Sequence, residues 1–353
     1  MNSNKSLKII IPVILTITIL LFSGCITEID SPELPKRGFY MGILPLPSSN
    51  QEIKDAFIQA SQYSEFVPFW SNLIGATSFW EFASDIDSLT GKLYLNQYIR
   101  GNNMFPIMSF SFIDKGATTG DLILKTPENM PDATLSDHKW RELYKDSIIK
   151  VVNSVKPLYL SIGNEVNRWY EQYGIDDNDP NGFQNYVSLY EEIYNEVKQI
   201  SPETFVFCVF SREIVDENRV ADLNVLNLFD SGTIDVLVFT SYPYAVSNIN
   251  KPGDIPDDYY KQASNYFPDK KFGFTELGWS SMEAFGGEQG QADFLLNVSS
   301  KLTIEQGINL HLFGYCWLHD ISDQDTTGLI KRDGTEKLAY QTWREISERE
   351  IIN

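Results

Sequence analysis

Short apolar runs recur along the chain at intervals that suit an alternation of strands and helices. A run of this length without polar alternation is typical of a strand that is buried on both faces of a parallel sheet. Eight such runs are present, at 38–44, 65–69, 104–110, 158–162, 205–210, 236–240, 272–275 and 310–317. We predict that each of them forms a strand.

The segments between these runs include stretches with helical spacing. In 183–200, apolar or aromatic side chains recur every three or four residues, at Tyr186, Leu189, Tyr190, Ile193 and Val197. Ser201 and Pro202 then provide a stop signal. In 290–306 the apolar residues again fall on one face, and Gly307 follows as a terminator. Both segments are predicted helices.

Eight strands that alternate with helices indicate one closed (β/α)₈ barrel over residues 38–353. No linker or shift in composition divides this part of the chain into two domains. An open, doubly wound sheet is the alternative, since it uses the same alternation. In a barrel, side chains just beyond the carboxyl ends of the strands face the active site, whereas those within the strands fill the core.

The first 25 residues have the pattern of an export signal. Lys5 and Lys8 precede an apolar run at 9–22, which is short for a membrane span. The following LFSGC, residues 21–25, resembles the lipobox of prokaryotic lipoproteins, which implies lipidation of Cys25. We therefore expect a cell-envelope or cell-surface protein held by a lipid anchor, with a tether at 26–37; an uncleaved anchor is the alternative.

The net charge of the chain disfavours several classes of binding partner. With 48 acidic and 28 basic residues, the formal net charge is −20. Such a surface repels nucleic acids, anionic lipids and polyanionic sugars, so a neutral substrate fits better. Cys208 and Cys316 lie in different apolar runs, which favours buried free thiols over a disulfide. No Cys/His spacing suggests a metal site, and no cofactor motif is present.

Two glutamates stand where predicted strands end. Glu165 follows the fourth run, and Glu276 directly follows the seventh. Because the carboxyl ends of all barrel strands meet at one face, the two side chains are candidates for the paired carboxylates that cleave glycosidic bonds. Glutamates near strand ends are common, so this position alone is weak evidence.

The motifs around these glutamates resemble those of clan A glycoside hydrolases. SIGNEVN at 161–167 is similar to their fourth-strand motif, and FTELGWSS at 274–281 to their seventh-strand motif. TSYPYA at 240–245, FGYCW at 313–317 and the closing 328–340 resemble the sixth strand, the eighth strand and the last helix. The resemblance spans about 38–345. It points to both family 53, the endo-β-1,4-galactanases, and family 17, the β-1,3-glucanases.

This resemblance implies a retaining double displacement. Glu165 would act as acid and then base, and Glu276 as the nucleophile, which requires the two carboxyl groups to lie about 5 Å apart. Asn164 would donate a hydrogen bond to the sugar 2-hydroxyl; its alternative role is to cap a helix. Tyr242 would donate to Glu276, with Tyr244 as the second candidate for that bond.

Aromatic residues near strand ends are candidate platforms for the flat apolar faces of sugars. The resemblance favours Trp317, at the end of the eighth strand. Trp279 and Trp70 follow the seventh and second strands, where packing under a loop is equally compatible with the sequence. Trp140 and Trp343 fall in helical segments and are expected in the core.

The sequence therefore predicts a monomeric retaining hydrolase that cleaves a neutral β-linked oligo- or polysaccharide. Two alternatives stay open. One is a surface lipoprotein that binds carbohydrate without turnover, although such a protein has no need of Glu165, Glu276 and Asn164 together. The other is a transglycosylase that uses the same glutamates but transfers the sugar to a second sugar instead of water.

Overall fold

The computed structural model describes residues 32–116 and 120–350, and its centre is a parallel sheet that closes on itself. The fifth strand consists of two segments, which bond to opposite neighbours. The barrel strands are β1 Tyr40–Ile43, β2 Phe66–Phe69, β3 Phe105–Ser109, β4 Tyr159–Ser161, β5 Phe205–Phe207 with Val209–Ser211, β6 Val236–Ser241, β7 Lys271–Leu277 and β8 Leu310–Tyr315. This arrangement confirms the single (β/α)₈ barrel and excludes the open sheet.

Helices surround the barrel. In the described residues the α-helices are α1 Ile53–Ala60, α2 Phe79–Asp85, α3 Leu89–Lys92, α4 His138–Val155, α5 Asn167–Tyr173, α6 Phe183–Ile200, α7 Tyr259–Ser264, α8 Gly287–Ser300 and α9 Leu338–Ser347. The first helix predicted from spacing, α6, has the expected bounds. The second, α8, starts three residues earlier than expected and continues into a π-helical turn, Lys301–Glu305.

The fifth strand departs from the prediction of one continuous run at 205–210. Phe205–Phe207 pairs with β4, and Val209–Ser211 pairs with β6, so Cys208 marks the point where the strand changes neighbour. The second segment of β5 stays bonded to the chain just beyond β4, because Val209 donates its backbone N–H to Gly163 O at 2.8 Å. The barrel thus closes at its fifth strand, beside the end of β4.

Side chains on the strands alternate between two apolar layers. One cluster takes residues from every barrel strand except β7, for example Val236 and Val238 of β6 and Leu312 of β8. The intervening Leu237 and Phe239 belong to a second, larger cluster that includes the helices. Trp140 and Trp343 are buried there, as the sequence predicts. The described cysteines, Cys208 and Cys316, are buried free thiols, which confirms that prediction.

The proposed signal, with Cys25 and most of the proposed tether, lies outside the described residues. Arg37, assigned to the end of the tether, is buried: it donates to Ser347 O at 2.7 Å and forms an ion pair with Glu65. In the described part of the chain, no helix combines the length and the apolar character needed to cross a bilayer.

Candidate active site

The carboxyl ends of β4, β6 and β7 bring the predicted polar residues together. Glu165 lies four residues beyond β4, with its backbone in the left-handed region at φ 50°. Glu276 lies within β7, one residue before its end. A register shift between β6 and β7 leaves Thr275 without a partner, so that Thr240 pairs with Glu276. Irregularities of this kind redirect a side chain, and this one lies at the catalytic candidate.

Two donors hold the carboxylate of Glu165, and the hydroxyl of Ser211, which donates to Glu213 O, lies nearby. Arg168, one turn along the chain, donates from its guanidinium at 3.0 Å. Thr240 donates its hydroxyl at 2.8 Å, and Ser211 lies at 3.4 Å. Arg168 also donates to Asp216 at 2.8 Å. Arg168 therefore links the carboxylates of Glu165 and Asp216.

Glu276 is more deeply placed and is held by different groups. Tyr242 donates its hydroxyl to the carboxylate at 2.7 Å, the contact that the resemblance implies. The thiol of Cys316 lies at 3.7 Å from the same oxygen, and Asn164 also bonds to this side chain. Asn164 does not cap a helix, because α5 begins at Asn167 with Val166 at the cap position.

Burial, followed by the negative charge of Glu165, raises the pKa of Glu276 to about 7, against the opposing effect of the bonds from Tyr242, Cys316 and Asn164. The sensitivity of Glu276 to the charge of Glu165 means that the two carboxyl groups interact directly. The raised pKa favours a proton on Glu276 in the free protein. The sequence expectation instead required Glu276 to be ionised, with the proton on Glu165.

Two cavities flank the carboxylates. The Glu276-side cavity, about 280 Å³, is lined by Trp70, Ser71, Asn72, Phe79, Phe82, Ser109, Phe110, Ser111, Lys125, Asn164, Glu276 and Trp317. The Glu165-side cavity, about 210 Å³, is lined by Ser111, Ile113, Asp114, Lys115, Leu122, Asn164, Glu165 and Arg168. Ser111 and Asn164 belong to both. The aromatic surfaces thus lie on one side of the pair, and the charged groups lie mainly on the other.

The candidate aromatic platforms fall into two groups. Trp70 and Trp317 are half-buried in the Glu276-side cavity and meet edge to face, with ring centroids 6.4 Å apart. Trp279 is fully buried: it stacks on Phe294 and donates its indole N–H to Phe285 O at 3.0 Å. A ring enclosed in this way has no face free for a sugar, which corrects the assignment of Trp279 as a platform.

Tyr244 also lies away from the carboxylates. Its ring contacts those of Trp279 and Phe285, and it belongs to neither cavity. Of the two tyrosines proposed to hold Glu276, only Tyr242 makes the bond. Tyr244 therefore has a packing role in this structure.

A further glutamate of the site region, which is buried, was not found from the sequence. Glu213, two residues beyond β5, accepts the hydroxyl of Tyr259 at 2.7 Å, the hydroxyl of Ser241 at 2.9 Å and the backbone N–H of Tyr242 at 2.7 Å. Burial raises the pKa of Glu213 to about 7. The only available sequence signal was its position after the fifth apolar run. Glu213 fixes the backbone of Tyr242, whose hydroxyl reaches Glu276.

Arg168 was likewise missed, although it stands three residues after Glu165 and helical spacing would place it nearby. Within the described residues, no group of three or more His, Cys, Asp or Glu side chains is arranged to hold a metal ion. The site contains two carboxyl groups and several hydrogen-bond donors. Such groups can donate a proton to a leaving oxygen, attack a carbon atom and stabilise negative charge.

Comparison with known proteins supports the barrel. No family model matches the sequence, and no curated protein matches it. Solved structures do: xylanase 10B from Thermotoga maritima has 11% identity and a TM-score of 0.58, over 89% of this chain and 96% of that one. The GH53 catalytic domain of Ignisphaera aggregans has 14% identity and a TM-score of 0.58, over 89% and 98%.

These proteins have the same fold. A longer structure, the β-glucuronidase of Bifidobacterium dentium complexed with coumarin-3-O-glucuronide, matches at 12% identity with a TM-score of 0.55, over 88% of this chain. The chain spans 46% of that protein, less than half of its length. At such identities the likeness establishes the fold alone, and function must be argued from the site.

Proposed function

We propose that the protein is a retaining O-glycoside hydrolase that uses Glu165 and Glu276. The observation that carries the proposal is the arrangement of the two glutamates at one barrel face, interacting electrostatically, with Asn164 lining the cavity on each side of them. Paired carboxylates with opposite environments are the arrangement that glycosidic cleavage needs. The neighbouring structures, which include proteins named as xylanase, β-glucuronidase and GH53 catalytic domain, give additional support.

In the first step, a sugar occupies the Glu276-side cavity and its leaving group occupies the Glu165-side cavity. Glu165 transfers its proton to the glycosidic oxygen while a carboxylate oxygen of Glu276 attacks the anomeric carbon. The bond from that carbon to the leaving oxygen breaks, and an ester bond to Glu276 forms. The leaving sugar departs as a neutral alcohol.

In the second step, water replaces the leaving sugar. Glu165, now ionised, takes a proton from the water as the water oxygen attacks the anomeric carbon. The ester bond to Glu276 breaks, and the carboxylate of Glu276 is restored. Two inversions at one carbon leave its configuration retained.

The active protonation state places the proton on Glu165, whereas the free site favours it on Glu276. Both arrangements contain one proton, so substrate binding need only redistribute it within the pair. A glycosidic oxygen placed beside Glu165 provides an acceptor for a proton on that carboxyl group. Tyr242, Cys316 and Asn164 remain to stabilise Glu276 as an anion. Asn164 also donates to the sugar 2-hydroxyl in this proposal.

The substrate we propose is a β-linked oligo- or polysaccharide with a neutral main chain. The net charge of −20 disfavours a polyanion. Trp70 and Trp317 provide flat apolar surfaces for sugar faces in the cavity of the nucleophile. The sequence resemblance to families 53 and 17 makes β-1,4-galactan and β-1,3-glucan the first polymers to test.

We further propose that residues 1–25 act as a lipoprotein-type signal, that Cys25 is lipidated, and that a tether leads into the catalytic domain at 38–353. The basic and apolar pattern followed by LFSGC supports this. The protein would then act at the cell envelope or surface. Metabolic labelling with an alkyne fatty acid, compared between wild type and Cys25→Ala, tests the anchor.

Trapping of the intermediate tests the mechanism. A 2-deoxy-2-fluoro glycoside with a good leaving group should add one sugar mass to the protein, and peptide mapping should place it on Glu276. Label on another residue, or turnover with inversion, would contradict the double displacement. Product analysis at high sugar concentration separates hydrolysis from transglycosylation. Binding of a glycan with no turnover would instead favour the carbohydrate-binding alternative.

A further inference from the structure

The Glu276-side cavity contains one cationic side chain. Of its lining residues, only Glu276 and Lys125 are ionisable. Lys125 follows a small antiparallel hairpin formed by Ile113–Lys115 and Leu122–Leu124, in the loop between β3 and α4. The mechanism proposed above does not use this lysine.

The backbone of Lys125 is fixed on both sides. Its N–H donates to Phe112 O at 2.7 Å, and its carbonyl accepts the indole N–H of Trp140 at 2.8 Å. Trp140, in α4, and Phe112 are both fully buried. The side chain of Lys125 therefore extends from a fixed backbone position at the wall of the cavity.

The ammonium of Lys125 has no hydrogen bond and no ion pair within the part of the chain that the structure describes. Two other lysines show the contrast: Lys115 pairs with Asp216 at 2.9 Å, and the buried ammonium of Lys337 pairs with Asp320 at 2.6 Å. Partial burial lowers the pKa of Lys125, and the more distant charge of Asp114 offsets this only in part. A half-buried charge without an acceptor is unfavourable until a ligand supplies one.

We infer that Lys125 binds an acidic group on the sugar that occupies the Glu276-side cavity, such as the carboxylate of a uronic acid or a sulfate ester. The inference rests on the proposed function, and it refines the substrate at one sugar. A charge-assisted bond to an anion is stronger than one to a neutral hydroxyl. A single ammonium compensates one acidic group but not a polyanion, so the inference agrees with the overall charge of the protein.

The test uses full-length protein and pairs of 4-nitrophenyl β-glycosides that differ only at C6: glucoside with glucuronide, and galactoside with galacturonide. Lys125→Met is compared with Lys150→Met, the same change at an exposed position in α4. In one pair at least, wild type should show a kcat/KM about tenfold or more higher for the uronide. Lys125→Met should lose that preference, because its kcat/KM should fall about tenfold more on the uronide than on the neutral glycoside, whereas Lys150→Met should keep the preference of wild type.

A 6-sulfated glycoside in the same series distinguishes the two acidic groups. Equal losses on neutral and acidic sugars in Lys125→Met, or no preference in wild type for any acidic member, would overturn the inference while leaving the hydrolase intact. If wild type hydrolyses none of these glycosides, release of reducing ends from polymeric glycans tests the proposed function separately. NMR titration with glucuronic acid and glucose then decides the inference, because the acid should bind wild type more tightly and lose that advantage in Lys125→Met.

Discussion

Glu165 and Glu276 are the same residue type, but their side chains have different surroundings. Glu165 has an arginine and two hydroxyl groups around it, whereas Glu276 is buried beside a phenol and a thiol. Burial raises the pKa of Glu276 to about 7. Two carboxyl groups with different partners can take different roles, one as the proton donor and the other as the nucleophile.

The role of Glu165 predicts that its loss depends on the leaving group. Glu165→Ala should reduce kcat/KM by roughly a thousandfold on glycosides with alkyl or sugar leaving groups, which need a proton. On 2,4-dinitrophenyl glycosides the loss in the first step should be much smaller, because that leaving group departs as an anion. Glu276→Ala is the control, since it should abolish turnover of both. Equal losses on both substrates in Glu165→Ala would contradict its role as the acid.

The raised pKa of Glu276 predicts the pH dependence of catalysis. The active pair contains one proton, and that proton is lost as the pH rises through about 7. We expect kcat/KM to fall above pH 7, because the leaving group then lacks a proton donor. A pH profile of initial rates on an alkyl glycoside measures this. An unchanged kcat/KM up to pH 9 would be inconsistent with the protonation of the pair.

The same pKa predicts an effect on stability. The pKa of Glu276 is higher in the folded state, about 7, than its ordinary value of 4.5, so the folded state binds the proton more tightly. The contribution of Glu276 to the free energy of unfolding is complete below pH 4.5 and is lost as the pH rises through 7. Glu276→Gln should therefore stabilise the protein at pH 8, by at most about 3 kcal/mol, and less at pH 5.

Thermal or urea unfolding at the two pH values measures this difference. Glu203→Gln, at an exposed position, is the matched control and should give a difference near zero at both. If Glu276→Gln gains no more stability over wild type at pH 8 than at pH 5, burial does not penalise the carboxylate of Glu276.

At the scale of elements, the seventh and eighth strands approach too closely for a side chain at Gly314. A Cβ there would lie 2.5 Å from Thr275 O and 2.7 Å from Phe274 O. Backbone atoms cannot move aside cheaply, so Gly314→Ala should destabilise the protein by roughly 1–3 kcal/mol and shift Glu276 in β7. Gly253→Ala, where a Cβ meets nothing within 4 Å, should unfold like wild type.

Urea unfolding and kcat measured on the two glycine variants check this prediction. If Gly253→Ala loses as much stability as Gly314→Ala, the close approach of β7 and β8 is not the cause of the loss. Wild-type stability in Gly314→Ala would show that β7 and β8 tolerate separation.

The elements were largely predictable because barrel strands are buried on both faces and leave a strong apolar signal. All eight runs contain strands, and α6 has the predicted bounds. The division of β5 at Cys208 was not predictable, since it depends on a change of hydrogen-bonding neighbour rather than on the local pattern. The π-helical turn at Lys301–Glu305 is equally a tertiary feature.

At the scale of the whole molecule, the sequence located the two carboxylates but not the contacts that tune them. Strand ends indicate which residues face the active site, and Trp70 and Trp317 do line it. The strand-end rule also predicted that Trp279 faces the active site. Its ring is instead buried against Phe294, because position along the chain does not determine side-chain direction. Glu213 reaches Tyr242 across 29 residues, a contact that local patterns do not contain.

The most direct test of the central claim is a screen of the full-length protein for release of reducing ends from β-1,4-galactan, β-1,3-glucan, β-mannan and related glycans. Glu276→Gln is measured in parallel, and NMR of the first product reports its anomeric configuration. We predict that one class of glycan is cleaved with retention by wild type and not by the variant. Cleavage that persists in Glu276→Gln, a product of inverted configuration, or binding of a glycan without any cleavage would contradict a two-glutamate retaining hydrolase.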